Sequence, residues 1–268
     1  MVALGVACAG GLCGMIGPLL AVRRLSLFAD LLGHSVFPGV AAAVLILGLD
    51  IQSPWILAFG IASAALSSLI FDGLSKRSST RPDAALAITL SGFYAFGVLL
   101  LAELAAQQKG QGLQGLLLGQ GVLLDVKDLL LFAGLWTLCG VFLGVFWKPL
   151  VCSLFDPFHG KTMGKHPERF RLLVTLAAVV ATLIALRSVG AILASALFLI
   201  PTAASLHWCQ SLSRRVFLAS ALGFMFGGLG TWVSTWGETW PLGPVVVLTS
   251  ALFLGLSQVL FRRMAHGR

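Results

Sequence analysis

Residues 2–22 read VALGVACAGGLCGMIGPLLAV, an apolar run without one charge, and residues 23–39 follow as RRLSLFADLLGHSVFPG, two arginines leading into a second apolar run that holds Asp30 and His34. About 20 consecutive apolar residues are what a helix needs to cross the hydrocarbon core of a bilayer. The first run therefore reads as a membrane span, and the arginines as the charged turn before the next. No basic residue precedes the run and no polar cleavage region follows it, so an integral helix is expected and not a secretory leader.

The whole chain has the same character. Of 268 residues, 58% are hydrophobic and only 10% charged, with a mean hydropathy of +0.96, well beyond the apolar content of a soluble domain. Runs of spanning length recur at Val2–Val22, Leu31–Leu49, Ser53–Phe71, Ala84–Ala105, Asp128–Trp147, Leu172–Leu186, Val189–Leu206, Phe217–Trp236 and Leu242–Phe261. None of them alternates, and lipid tolerates no unpaired backbone, so helices are expected and not barrel strands. The expected fold is all-α: a polytopic bundle of about eight to nine transmembrane helices forming one domain over residues 1–268. Nine spans put the termini on opposite sides; an eight-span arrangement, with one segment re-entrant or interfacial, is the alternative.

Charge orients the bundle. If the spans alternate in direction, all of the 18 basic residues except Lys109, Lys127 and Arg187 fall in loops on one face, which the positive-inside rule makes cytoplasmic. The net charge of +8 is thus a topology signal, not the footprint of a nucleic-acid partner. Trp55, Trp147, Trp208, Trp236 and Trp240 lie near expected span ends, where indole rings anchor at the interface. GxxxG spacing occurs at Gly10/Gly14, Gly140/Gly144 and Gly223/Gly227, and contact between helices of one bundle explains it better than a dimer seam does. Five scattered cysteines, without a CxxC pair, read as small packing residues.

Asp30 and His34 are the candidate site. Four residues is about one helical turn, so both side chains project from one face. Ionisable groups within a span are costly and mark solute or ion pathways, and a carboxylate with an imidazole supplies oxygen and nitrogen donors for Zn²⁺, Mn²⁺ or Fe²⁺. The competing reading makes Asp30 a helix cap and His34 a partner of a nearby carbonyl. Asp50, Glu103 and Glu238, at or near the opposite face, are candidate entrance acids that concentrate cations. No GxxxxGK[ST], HExxH, GxSxG or strand-following GxGxxG occurs, so any ATP hydrolysis belongs to another polypeptide.

Three blocks in order resemble the membrane subunits of bacterial zinc, manganese and iron ABC importers, the ABC-3 permease family. They are RRLSLFADLLGHSVFPGVA (23–41), LVCSLFDPFHGKTMG (150–164) and VGAILASALFLIPTAAS (189–205) with Arg214, Arg215 and PLGPVVVL (241–248) beyond it. The chain departs from the family pattern in PTAAS, where PAATA is more usual, and in FHGKTMG, which lacks the usual acidic residue. The resemblance implies a type II-importer-like permease of the bacterial inner membrane that is not itself an enzyme. It also implies two copies around a central path, an ATP-binding subunit, an extracytoplasmic metal-binding protein, and a transported divalent metal in place of any permanent cofactor. In that picture Asp30 and His34 ligate the metal. Asp156 and Pro157 form a cytoplasmic motif, and Pro201, Thr202, His207, Arg214 and Arg215 lie in the segment that couples to the ATPase, expected as a span end turning into a short amphipathic helix. The rival function is a secondary metal/proton antiporter, against which stands the lack of a second acidic cluster or inverted repeat.

Overall fold

The computed structural model describes residues 1–23, 25, 27–48, 54–77, 81–107, 126–156, 167–237 and 240–266. Among them the regular structure is helical: α1 (Val2–Val22), α2 (Phe28–Leu47), α3 (Pro54–Arg77), α4 (Pro82–Ala106), α5 (Val126–Val145), α6 (Trp147–Phe155), α7 (Pro167–Val189), α8 (Ala191–Trp208), α9 (Leu212–Ser234) and α10 (Leu242–His266). By length and hydropathy α1 to α5, α7 and α9 qualify as membrane spans, and α10 carries a shorter apolar stretch, Leu242–Gln258. The all-helical, multi-pass reading therefore holds. Local chemistry sets the ends. Pro82 opens α4, where its missing N–H costs nothing. Gly48 closes α2 at φ +61, its N–H bonded to the Val44 carbonyl at 3.1 Å. Gly190, at φ +96, closes α7 through Leu186 and opens α8 through Ala194, so one residue separates two helices.

The chain divides into two compact units. The first comprises Met1–Ser26, Gly121–Ala177 and Ala196–Arg268. Its centre is α1, whose residues from Gly5 to Leu20 are all buried. A helix apolar all round must be covered all round, and here protein supplies much of the cover. The α1–α9 seam is antiparallel, with Val6 opposite Gly227, Gly10 opposite Gly223 and Gly14 opposite Ala219. A Cβ at Gly10 or Gly223 would fall within the carbonyl oxygen of the other. Two of the three GxxxG pairs thus meet each other within the chain, whereas Gly144 of the third faces open space. Beside the seam the Trp136 indole N–H donates to Ser220 Oγ at 3.0 Å, and that hydroxyl donates to the Gly11 carbonyl at 2.9 Å. Three helices, α5, α9 and α1, are joined by this polar chain, with Trp136 stacked on Phe224 at 5.2 Å.

The second unit comprises Leu27–Gln120 and Ala178–Ser195. Here α2 is the buried element between α3 and α4. Helix α3 runs antiparallel to it, with Gly39 against the Phe59 backbone, Gly60 against Val36 and Val40, and Phe28 against Phe71 at 5.7 Å. Helix α4 runs parallel to it, with Gly97 against Phe37 and Pro38. The outer surfaces of α3 and α4 are apolar, as Leu66, Leu69, Ile88 and Leu99 show, which suits lipid contact.

The same substitution at two glycines should have opposite signs. Gly10→Ala overpacks the seam and is expected to destabilise by about 1–3 kcal/mol, whereas Gly144→Ala, in an open helical position, is expected to stabilise by about 0.5–1 kcal/mol. Thermal unfolding in detergent measures both.

Candidate metal-path site

Helix α2 places Asp30 and His34. Leu27 occupies the N-cap position and makes no side-chain cap bond, so Asp30 is not the cap; it sits in the first turn, where the helix dipole favours a carboxylate. His34 follows one turn later, and both are half-buried. His34 Nδ1 is buried without a hydrogen-bond partner among the described residues, so this nitrogen does not bond a neighbouring carbonyl. Four residues on, Pro38 has no N–H to offer the His34 carbonyl, and α2 continues with that rung missing.

The imidazole has aromatic neighbours instead. The Tyr94 ring of α4 lies 5.0 Å from it at 78°, and Phe37, on α2 itself, lies 6.4 Å away at 39°. Gly97 explains the Tyr94 contact. A Cβ there would meet Pro38 Cδ at 3.1 Å and Phe37 Cβ at 3.2 Å, so glycine lets α4 cross α2 closely one turn beyond Tyr94. Sequence reasoning passed over Tyr94, although it is the chain's single tyrosine. Its partner lies some sixty positions earlier, and no local spacing links the two.

Among the described residues no group of three or more His, Cys, Asp and Glu side chains is placed to hold a metal ion. Asp30 and His34 are thus a two-donor set, short of the four ligands of a closed zinc site. Of the entrance acids, Asp50 and Glu238 lie outside the described residues. Glu103 is exposed on the last turn of α4, accepting a hydrogen bond from Gln107 at 3.0 Å. It stands nine residues beyond Tyr94, roughly 13 Å along the helix, and is not part of the Asp30–His34 site.

The remaining sequence candidates fall in the first unit. Pro201 and Thr202 are buried inside α8, with the Thr202 hydroxyl donating to the Phe198 carbonyl at 2.6 Å. His207 is exposed, with Nδ1 bonded to the Ala203 carbonyl at 2.8 Å. The expected short amphipathic helix after the span is absent: α8 runs on to Trp208 and α9 starts at Leu212. The reason is Arg215, whose Nε donates to the Cys209 carbonyl at 2.8 Å and satisfies the end of α8 across the turn. Arg214 is exposed. The short helix in the described chain is α6, with Leu150 and Ser153 buried and Lys148 and Phe155 exposed. Asp156 ends it, its N–H bonded to the Cys152 carbonyl at 2.9 Å, while Pro157 lies outside the described residues.

A family model, the ABC 3 transport family, matches residues 1–260. The chain belongs to that family. It is 32% identical over 238 residues to the zinc transport system membrane protein TroC of Treponema pallidum (strain Nichols), an alignment covering 88% of this chain and 79% of that protein. It is 29% identical over 248 residues to the manganese transport system membrane protein MntC of Bacillus subtilis (strain 168), covering 92% of this chain and 57% of the relative, which is therefore much longer than the matched part. Among solved structures, PsaBC from Streptococcus pneumoniae in complex with Fab superposes with a TM-score of 0.81 at 27% identity, over 96% of this chain and 89% of that one. The fold of an ABC 3 membrane protein thus extends over nearly the whole chain.

Arg215→Ala is expected to cost about 1.5–3 kcal/mol locally, the range for a hydrogen bond to a charged donor, and to speed amide hydrogen exchange at the end of α8. Arg214→Ala should leave that exchange unchanged, and exchange followed by mass spectrometry separates the two.

Proposed function

We propose that this chain is the membrane-spanning permease subunit of an ATP-driven importer of divalent transition metal ions, zinc or manganese foremost. The observation that carries the reading is the Asp30–His34 pair: two metal-donor side chains one turn apart on a membrane-spanning helix, half-buried, with an imidazole nitrogen lacking a hydrogen-bond partner among the described residues. Membership of the ABC 3 family and relatives named for zinc and manganese transport support it. An oxygen donor and an imidazole suit these ions. A two-donor set also suits transit, since an ion held by a complete cage leaves slowly.

Two copies of the chain would bring up to four such donors to a shared path. Hydrolysis of ATP belongs to a separate subunit, because the chain carries no phosphate-binding loop, and an extracytoplasmic binding protein delivers the ion. The location is the bacterial inner membrane. The α8–α9 turn, with exposed His207 and Arg214 and with Arg215 as its brace, and the Asp156 end of α6 are the surfaces proposed to meet the ATP-binding subunit; Pro201 and Thr202 act there through helix packing, being buried. Asp50, Glu103 and Glu238 are proposed to draw cations towards the entrance.

Metal uptake and ATP hydrolysis in proteoliposomes, after co-expression with the ATP-binding subunit and binding protein, test the reading. Asp30→Asn and His34→Ala should assemble with the ATPase yet lose at least tenfold in uptake, a loss of about 1.4 kcal/mol or more. Uptake that survives both changes would show the pair to be structural.

A further inference from the structure

Metal-binding histidines usually have their ring orientation fixed by a second hydrogen bond, from the other ring N–H to a carboxylate or carbonyl. In His34 the Nδ1 is buried and has no hydrogen-bond partner among the described residues, so this nitrogen does nothing to fix the ring. The ring's close neighbours are aromatic: Tyr94 stands nearly perpendicular to it at 5.0 Å and 78°, within the 4.5–7 Å range of favourable edge-to-face pairs. Phe37 adds a looser contact at 6.4 Å from the same helix as His34. Tyr94 therefore ties the ligand to a second helix, and Gly97 is the residue that lets that helix approach.

We propose that Tyr94 is the positioning residue of the metal path, setting the orientation of the His34 imidazole through its ring and not through its hydroxyl. The proposal rests on His34 as a metal donor. Its physical content is a packing restraint on the ring. A ring contact restrains the angle without itself fixing the tautomer, as a hydrogen bond would. A donor held in this way is pre-aimed without being locked, which suits an ion that must bind and leave.

Tyr94 is 46% exposed, so its truncation leaves no sealed core cavity, and the variants should assemble. The test uses the complete transporter of permease, ATP-binding subunit and binding protein, with Zn²⁺ and Mn²⁺ as probes. Zinc affinity of the permease–ATPase complex is measured by competition with a fluorescent chelator, and uptake is measured in proteoliposomes. Tyr94→Phe should keep wild-type affinity and uptake. Tyr94→Leu and Tyr94→Ala should each weaken zinc affinity roughly three- to tenfold, with assembly and complex yield unchanged. The Leu variant preserves apolar bulk, so a loss there reports the ring and not the volume.

Wild-type affinity in Tyr94→Leu and Tyr94→Ala, alongside its loss in His34→Ala, would overturn the positioning role and leave the metal path standing. Loss in Tyr94→Phe equal to that in Tyr94→Ala would also overturn it, making the phenol oxygen the active group. Unchanged affinity and uptake in His34→Ala would remove the metal path itself, and the proposal with it.

Discussion

Helices in a bilayer gain no hydrophobic energy by meeting, since lipid tails are as apolar as the side chains they would replace; close packing through small residues must supply the association. That constraint shapes each unit of this chain. In the first, Gly10, Gly14, Gly223 and Gly227 let α1 and α9 approach backbone to backbone, which leaves α1 buried over most of its length. In the second, Gly39 and Gly97 admit α3 and α4 to the same stretch of α2, around Phe37 to Gly39. The chemistry of the site depends on the second case. Without a glycine at 97, the Phe37–Pro38 stretch of α2 would keep α4, and Tyr94 with it, at a greater distance from His34.

The Asp30–His34 turn is economical in what it asks of the fold. One helix supplies both side chains, so their relative placement follows from helical geometry and needs no long-range agreement. The neighbouring helices contribute orientation and burial. Pro38 interrupts the hydrogen-bond ladder just past the pair, so a weak rung of the helix lies beside its most polar residues. Several polar side chains elsewhere in the spans are satisfied locally or in short chains, as with Thr89 to Ala85 and Trp136 to Ser220 to Gly11. His34 Nδ1 differs from these in having no hydrogen-bond partner among the described residues.

Much of this was legible in the sequence, for reasons that residues make plain. Charge-free runs such as 2–22 require helices, and the Arg23–Arg24 pair marks the end of the first. The Asp30–His34 spacing needs only one turn of helix to be read. Long-range pairing was not legible. That Gly10 and Gly223 face each other, or that Tyr94 reaches His34, depends on which helices are neighbours, and the apolar spans look alike in composition. The α8–α9 turn misled for a similar reason. Residues 201–215 have the composition of an amphipathic segment, but the Arg215 to Cys209 hydrogen bond closes the turn after three residues.

The central claim is that the transported ion meets carboxylate oxygen and imidazole nitrogen from the α2 turn. Zinc X-ray absorption on the assembled, metal-loaded transporter tests it most directly. The account predicts a first shell of nitrogen and oxygen at about 2.0–2.2 Å with imidazole outer-shell scattering and no sulfur at about 2.3 Å. A sulfur shell, or a shell without imidazole, would contradict it and move the path away from Asp30 and His34.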